Sequence, residues 1–436
     1  MKENALVAQS GGPSPVINAS LQGVIEACRN YPDRIGKLYA GRHGVEGVLT
    51  EQLIDLSCLP EEEISLLRNT PAAGVVGSCR YKLKEGQTED FDRLLDVFRA
   101  HNIGYFFYIG GNDSMDTAAK VARLARKRHQ SLVAIGVPKT IDNDVGDEDF
   151  KLIDHTPGYG STARYWAYLV QNLNEENRGI SPSEPVSVVQ AMGRKAGYIP
   201  AAARLADPHR EMPLQLYLAE VNHSLEALAE NVNRQLLESG RCMVIVSEGY
   251  DVGSLGEARD GFGHIEYGAS RTSVAQVVTN YLNEHGLRVG GQATCQVPGV
   301  LQRCTSACMS RVDRDEACLV GRKAVEIALE DGGGWMVTIL RRPGDDYDVY
   351  CDKVPLEAVA NSFRTLPAHW ITEDGLDVTD DFIRYAQPLI GEDWPELPLV
   401  GGLQRFARID PVPVAKKLPK YTPMNWRVAA REAYKP

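Results

Sequence analysis

Six consecutive residues, Lys139-Thr140-Ile141-Asp142-Asn143-Asp144, bring a cation, a hydroxyl and two carboxylates together. A second run, Gly110-Gly111-Asn112-Asp113-Ser114, supplies two glycines and a further carboxylate. Glycines beside a helix N-terminus suit a phosphate, because the backbone N–H groups there face the anion. Carboxylates nearby suit Mg²⁺ and a general base. Two loops carrying those groups together point to phosphoryl transfer.

The elements that must position these groups are also visible. Ile103 to Ile109 and Leu132 to Val137 are apolar strand-like runs, and each of the two loops follows one of them. Ligands of an open α/β sheet bind at the carboxyl ends of its strands. Asn4 to Gln9 reads as an earlier strand, ending in Ser10-Gly11-Gly12-Pro13 before a helix from about Pro15 to Arg29. That is a possible anion site, but no GxxxxGK[ST] or GxGxxG occurs in the chain. Gly77-Ser78-Cys79-Arg80-Tyr81-Lys82 is a small-residue loop capped by basic groups.

After Asp144 the pattern restarts. A glycine-rich turn, Thr156 to Ser161, leads into a long helix. The strand Val186 to Ala191 ends in Met192-Gly193-Arg194-Lys195, and Met243 to Val246 ends in Ser247-Glu248-Gly249. Strands alternating with helices imply a parallel sheet covered on both faces. The expectation is an α/β protein of two Rossmann-like three-layer α/β/α domains with a C-terminal extension. We expect residues 1–153, joined by about 304–345, to form the phosphate-binding domain, and 154–303 the acceptor domain. Residues 346–436 would pack on both. Within the tail, Trp335–Arg341 and Asp346–Cys351 read as a hairpin, Leu356–Phe363 as a short helix, and the rest as proline-rich coil to Pro436.

Bulk properties narrow the function class. A chain of 436 residues exceeds the size at which one core stops growing. A net charge of −11 argues against nucleic-acid or anionic-membrane partners, though not against a phosphate held in a locally basic pocket. No run reaches the roughly 18 apolar residues of a spanning helix. The N-terminus has no apolar stretch of signal-peptide length. The nine cysteines are scattered and lack paired metal-ligand spacing. A cytoplasmic protein with reduced thiols is expected.

Taken in order, Ser10-Gly11-Gly12, Gly77-Ser78-Cys79-Arg80, Gly110 to Ser114, Pro138 to Asp144, Met192-Gly193-Arg194, Glu248-Gly249 and Leu301-Gln302-Arg303 resemble the phosphofructokinase family. Lys139 and Asp113 stand where ATP-using members of the family carry glycine, which is similar to its pyrophosphate-dependent branch. The tail stretches Val354-Pro355-Leu356-Glu357 and Val359-Ala360-Asn361 also look like that branch. A carboxylate at Asp113 would lie where a nucleotide's α-phosphate goes, and like charges at close range repel.

The resemblance implies a reaction: Mg²⁺-dependent transfer from pyrophosphate to the 1-hydroxyl of fructose 6-phosphate. It also implies roles. Asp142 would be the base, and Lys139 and Thr140 would hold the transferring group. Arg194 would bridge donor and acceptor phosphates. Gly11, Gly12, Arg80, Asp113 and Ser114 would bind pyrophosphate. Asp113, Asp144 and Asn112 would face the metal. Met192, Gly193, Glu248 and Arg303 would shape the sugar site together with Thr140, Asp142 and Arg194. A homo-oligomer, dimer or tetramer, is expected from the same resemblance.

The chain departs from the family pattern in places. Asn112 replaces a common aspartate, so a metal would lose one charge. Pro185 and Thr294 stand where bacterial ATP-using members have arginines that clamp the sugar 6-phosphate from a neighbouring subunit. Val300 and Gln190 also differ from the usual residues. A phosphate held without those arginines must lean on Arg303, Lys195, Arg288 or the tail. Two further readings therefore stay open. One is pyrophosphate-dependent transfer to sedoheptulose 7-phosphate or to an unphosphorylated sugar or polyol. The other is a catalytically silent metabolite binder.

Overall fold

A computed structural model describes residues 2–83, 86–261, 263–344, 346–360, 362–410 and 412–427. Its first strands are β1 (Glu3–Ser10), β2 (Ile35–Gly41), β3 (Leu53–Asp55), β4 (Ser78–Cys79), β5 (Ile103–Gly110) and β6 (Val133–Pro138). Then come β7 (Val186–Ala191), β8 (Leu214–Tyr217), β9 (Cys242–Ser247), β10 (Ala258–Arg259), β11 (Ile265–Glu266) and β12 (Ala293–Gln296). Late in the chain lie β13 (Trp335–Arg341) and β14 (Val349–Pro355).

Two large sheets result. One runs β14-β13-β6-β5-β1-β2-β3, with β4 against the end of β1. The other runs β12-β7-β9-β8 and is parallel throughout. β7 and β9 are buried along their whole length, which explains their mostly apolar, non-alternating sequences. Helices cover both faces of both sheets, as the alternation of elements predicts. On one face of the first sheet the helices Ile17–Asn30 and Arg311–Glu330 approach closely. A Cβ on Gly23 would stand 2.0 Å from the Cys318 carbonyl oxygen, so only glycine permits that contact.

The C-terminal tail differs from the expected coil. Asp380–Ile390 is a helix, and Phe382, Tyr385, Ala386 and Leu389 on its buried side join Trp166 and Tyr198 in the core of the second sheet. Those positions follow the 3.6-residue period. The hairpin is present, but its second strand runs Val349–Pro355 and so completes the edge of the first sheet. The short helix ends at Val359, not Phe363. Its chain is drawn away to the loop after β6, where the Arg364 N–H donates to the Asp144 carbonyl at 2.9 Å. Asn361 and residues 428–436 lie outside the described residues.

Register explains how the loops meet. Gln9 pairs with Ile109, Gly110 with Pro138, and Ser10 with Cys79. The loops after β1, β4, β5 and β6 therefore emerge side by side. In the second sheet Ala191 pairs with Ser247, which sets Met192–Arg194 beside Glu248. All nine cysteines are free thiols. Among the described residues no helix is long and apolar enough to cross a membrane.

Candidate active site

The carboxyl edges of the two sheets face a common cavity of about 690 Å³. That size suits a small polar ligand pair. Gly11, Gly12, Arg80, Asn112, Asp113, Ser114, Lys139, Thr140, Asp142, Asp144, Met192, Arg194, Glu248 and Arg303 all line it. Gly193 does not, and it acts on the backbone instead. Its φ is 123°, and a Cβ there would stand 2.7 Å from the Ala196 carbonyl oxygen. Arg194 follows at φ 52°, in the left-handed region that few side-chain-bearing residues adopt.

The loop after β6 is pinned from several sides. The Lys139 N–H donates to the Gly110 carbonyl at 3.0 Å, and Lys139 Nζ donates to the Gly12 carbonyl at 2.6 Å. The Asp142 N–H donates to Thr140 Oγ1 at 3.1 Å. Asn143, at φ 56°, donates through Nδ2 to Tyr385 Oη at 2.9 Å and accepts from the Thr156 N–H at 3.0 Å. Arg364 is wholly buried beneath the loop. Its Nε and Nη2 donate to the Asn143 carbonyl at 3.1 and 3.0 Å, and its Nη1 to the Ile153 carbonyl at 2.8 Å. A guanidinium fork can meet several oxygens at once in this way.

Seven basic side chains and four carboxylates line the cavity, so it is locally positive on an acidic protein. Burial pushes Lys139 down to about 7, with Arg303, Arg80 and Arg194 adding to the effect and Asp142 opposing it. Burial and then Asp142 raise Asp144 to about 6. The same two causes raise Glu248 to about 8. Burial followed by Arg80 lowers Arg303 from its ordinary value. Desolvation disfavours every charged form here, and a bound anion would restore the charge of the cations beside it.

The donor groups are arranged for such an anion. Arg303 Nε is buried without a hydrogen-bond partner. A Cβ on Gly12 would stand 2.6 Å from Arg303 Nη1 and 3.2 Å from Arg80 Nη2, so the glycine leaves room for both guanidiniums. Gly11 turns at φ 78°. Ser114 Oγ donates to Ser10 Oγ at 2.8 Å, tying the first phosphate loop to the one after β5. A divalent cation also fits. Asn112 Oδ1 is buried and unpartnered, and the buried Asp144 carboxylate lines the same cavity. No cluster of three or more His, Cys, Asp or Glu ligands exists among the described residues. An ion here would complete its shell with water and phosphate oxygens, the habit of Mg²⁺.

Several expectations shift. Arg80 lines the cavity, but Asp260 and Glu266 already pair with it, the latter at 2.9 Å. Arg288 lies away from the cavity and pairs with Glu230 at 2.8 Å. Of the alternatives for a sugar phosphate, Arg303, Lys195 and the tail residues Ser362 and Phe363 do line it. Pro185 precedes β7, at the end opposite Met192, and Thr294 pairs within β12. Neither reaches this cavity. Gln190 accepts from the Ala275 N–H at 3.1 Å, at the start of the helix Val274–His285.

Sequence reasoning missed the hairpin β10–β11, which brings Asp260, His264 and Glu266 to the site. It also missed that Lys82 Nζ pairs with Asp113 at 2.6 Å. Arg364 carried no signal, since it sits in a stretch without periodicity.

The phosphofructokinase family model matches residues 4–328. A Halomonas elongata protein named pyrophosphate–fructose 6-phosphate 1-phosphotransferase is 41% identical over 430 residues, covering 96% of this chain and 99% of its own. A Methylococcus capsulatus protein of the same name is 41% identical over 425 residues, covering 95% and 98%. The crystal structure of pyrophosphate-dependent phosphofructokinase from Nitrosospira multiformis matches with a TM-score of 0.86 at 39% identity, over 96% of this chain and 100% of that one. On this family match and these near full-length likenesses, the chain belongs to the phosphofructokinase family.

Proposed function

We propose that the protein transfers a phosphoryl group from pyrophosphate to the 1-hydroxyl of fructose 6-phosphate, giving fructose 1,6-bisphosphate and phosphate. One observation carries the donor: Lys139 and Asp113, where nucleotide-using members carry glycine, face the same cavity. Asp113 is fixed there by Lys82 at 2.6 Å, so its carboxylate fills the place a nucleotide's α-phosphate would need. The acceptor rests on the shared name of the near full-length relatives. Because a phosphoanhydride of modest energy is consumed, either direction is feasible. A homo-oligomer, dimer or tetramer, and a cytoplasmic setting belong to the same reading.

The mechanism follows from the chain's own residues. Asp142 takes the proton of the acceptor hydroxyl as that oxygen attacks the nearer phosphorus. The bridging P–O bond breaks, and its electron pair leaves with phosphate. Lys139, held at the Gly12 carbonyl, meets the charge on the transferring group, with Thr140 beside it. Arg194 Nε stands 3.6 Å from Asp142 Oδ2, between the donor and acceptor sides. Glu248, raised to about 8, is protonated at neutral pH and can both donate to and accept from sugar hydroxyls. Enzymes of the family generally need a divalent metal. We assign Mg²⁺, which Asn112, Asp113 and Asp144 would hold and which would neutralise phosphate-oxygen charge.

The test supplies purified protein with Mg²⁺, fructose 6-phosphate and either pyrophosphate or ATP, and follows bisphosphate formation. Turnover is expected with pyrophosphate, and turnover with ATP alone overturns the proposal. In the same assay Asp113→Gly should admit ATP measurably better. Running sedoheptulose 7-phosphate and unphosphorylated sugars in parallel checks the acceptor.

A further inference from the structure

The hairpin β10–β11 grows from the second sheet yet ends against loops of the first. Its turn is self-braced. The His264 N–H donates to Asp260 Oδ1 at 3.0 Å, and the Asp260 N–H donates to the His264 carbonyl at 2.9 Å. Arg259 Nη1 donates to the Gly263 carbonyl at 2.8 Å, and Gly263 turns at φ 89°. The turn lies flat on the Arg80 backbone: a Cβ on Gly261 would stand 2.0 Å from the Arg80 carbonyl oxygen. Asp260 and Glu266 then hold the Arg80 guanidinium from the same side.

From that position His264 reaches two groups on opposite sides of the cavity. Its Nδ1 is 3.0 Å from Arg194 Nη1, and its Nε2 is 3.4 Å from Asp113 Oδ2. A guanidinium can only donate, so Nδ1 is the acceptor and the ring proton sits on Nε2, facing the carboxylate. Arg194 in turn directs Nε to Asp142. An unbroken series Asp142–Arg194–His264–Asp113 thus crosses the cavity from the acceptor base to the donor wall. Its members alternate between the sheets: Asp142 and Asp113 follow β6 and β5, while Arg194 and His264 follow β7 and β9.

Arg194 is long, sits on a strained backbone and leaves 39% of its side chain exposed. Without a second anchor such a side chain samples many rotamers. We infer that His264 is a positioning residue for phosphoryl transfer, holding Arg194 toward Asp142 and bracing Asp113, so that donor and acceptor walls are set relative to each other. The inference rests on the reaction proposed above. It assigns to a hairpin side chain a task that the loop motifs leave open, namely fixing the arginine that must lie between two phosphates.

Kinetics on the purified full-length chain test it, with pyrophosphate and fructose 6-phosphate each varied at saturating partner. Turnover by the parent protein checks the reaction; only the comparison among variants checks His264. His264→Ala is expected to lower kcat by roughly 10- to 100-fold, as a misplaced catalytic group does, with KM for fructose 6-phosphate nearly unchanged. His264→Asn keeps an acceptor where Nδ1 stands and should recover most of kcat. His264→Gln places its amide beyond that point and should recover less. An unchanged kcat in His264→Ala, a loss confined to KM, or His264→Asn no faster than His264→Gln overturns the inference. Thermal melting accompanies each variant, and if His264→Ala does not fold, the Asn–Gln pair decides alone.

Discussion

The loop 139–144 and the hairpin 258–266 reach the same cavity from opposite sheets and are held by different forces. The loop is buried, and hydrogen bonds from Arg364 and Thr156, and to the Tyr385 hydroxyl, fix its backbone and its central asparagine. The hairpin is made of two-residue strands and is fastened by the ion pairs of Asp260 and Glu266 with Arg80, with the neutral His264 ring facing Asp113. Buried hydrogen bonds to carbonyls are insensitive to salt and costly to leave unmade. Partly exposed ion pairs are weak singly and screened by salt. Asp142, the proposed base, thereby lies on the side held by buried hydrogen bonds, and His264 on the side held by partly exposed ion pairs. Rigidity has a chemical consequence: the buried loop carries Lys139 and Asp144 far from their ordinary titration ranges.

The largest expected effect lies in the loop's reactive group. Asp142→Asn keeps the shape but removes the base, and should lower the rate by about 10²- to 10⁴-fold. A near-normal rate would break the assignment of proton transfer to this side. Next comes the support beneath it. Arg364→Lys keeps the charge but loses the fork that serves the Asn143 and Ile153 carbonyls. We expect a loss of about 2–4 kcal/mol in urea denaturation, together with slower turnover. If stability stays within about 0.5 kcal/mol, the loop is not held as described.

The smallest effect concerns Lys139. Its proton is bound in the unfolded chain up to about 10.5 but lost in the folded chain above about 7. The cost of burying the ammonium is therefore present in full below pH 7, and it is relieved as pH rises toward 10.5. A bound diphosphate restores the charge, so binding at pH 8 should take up nearly one proton more than in Lys139→Arg, whose guanidinium never releases one. Calorimetry in buffers of different ionisation enthalpy reads that difference, which corresponds to about 1.4 kcal/mol of affinity per pH unit above 7. Equal uptake in the two proteins would mean that the buried lysine is already charged.

The same contrast explains what was legible in the sequence. Loops that follow apolar strands announce themselves, because strand, glycine and helix start are each visible. Fourteen of the fifteen expected site residues line one cavity, and Gly193 shapes the turn beside it. The helix Asp380–Ile390 was written in the chain as Phe382, Tyr385, Ala386 and Leu389, with Asp380 and Asp381 in its first turn. Pro388 within it and the prolines around it hid the period. The hairpin left no comparable trace, since strands of two residues are too short to alternate. Arg364 and Lys82 were invisible for another reason. Their partners lie 221 and 31 positions away in the chain, and no local pattern encodes a contact of that kind.

Arg364 lies beyond the last strand of both large sheets, which are complete at Pro355. A chain cut just after Pro355 would keep every strand of both large sheets and lose the guanidinium beneath its base-bearing loop. Scaffold and support are thus separable along the chain: the strands that carry the loop are drawn from residues before 356, and the guanidinium beneath it from the segment that follows.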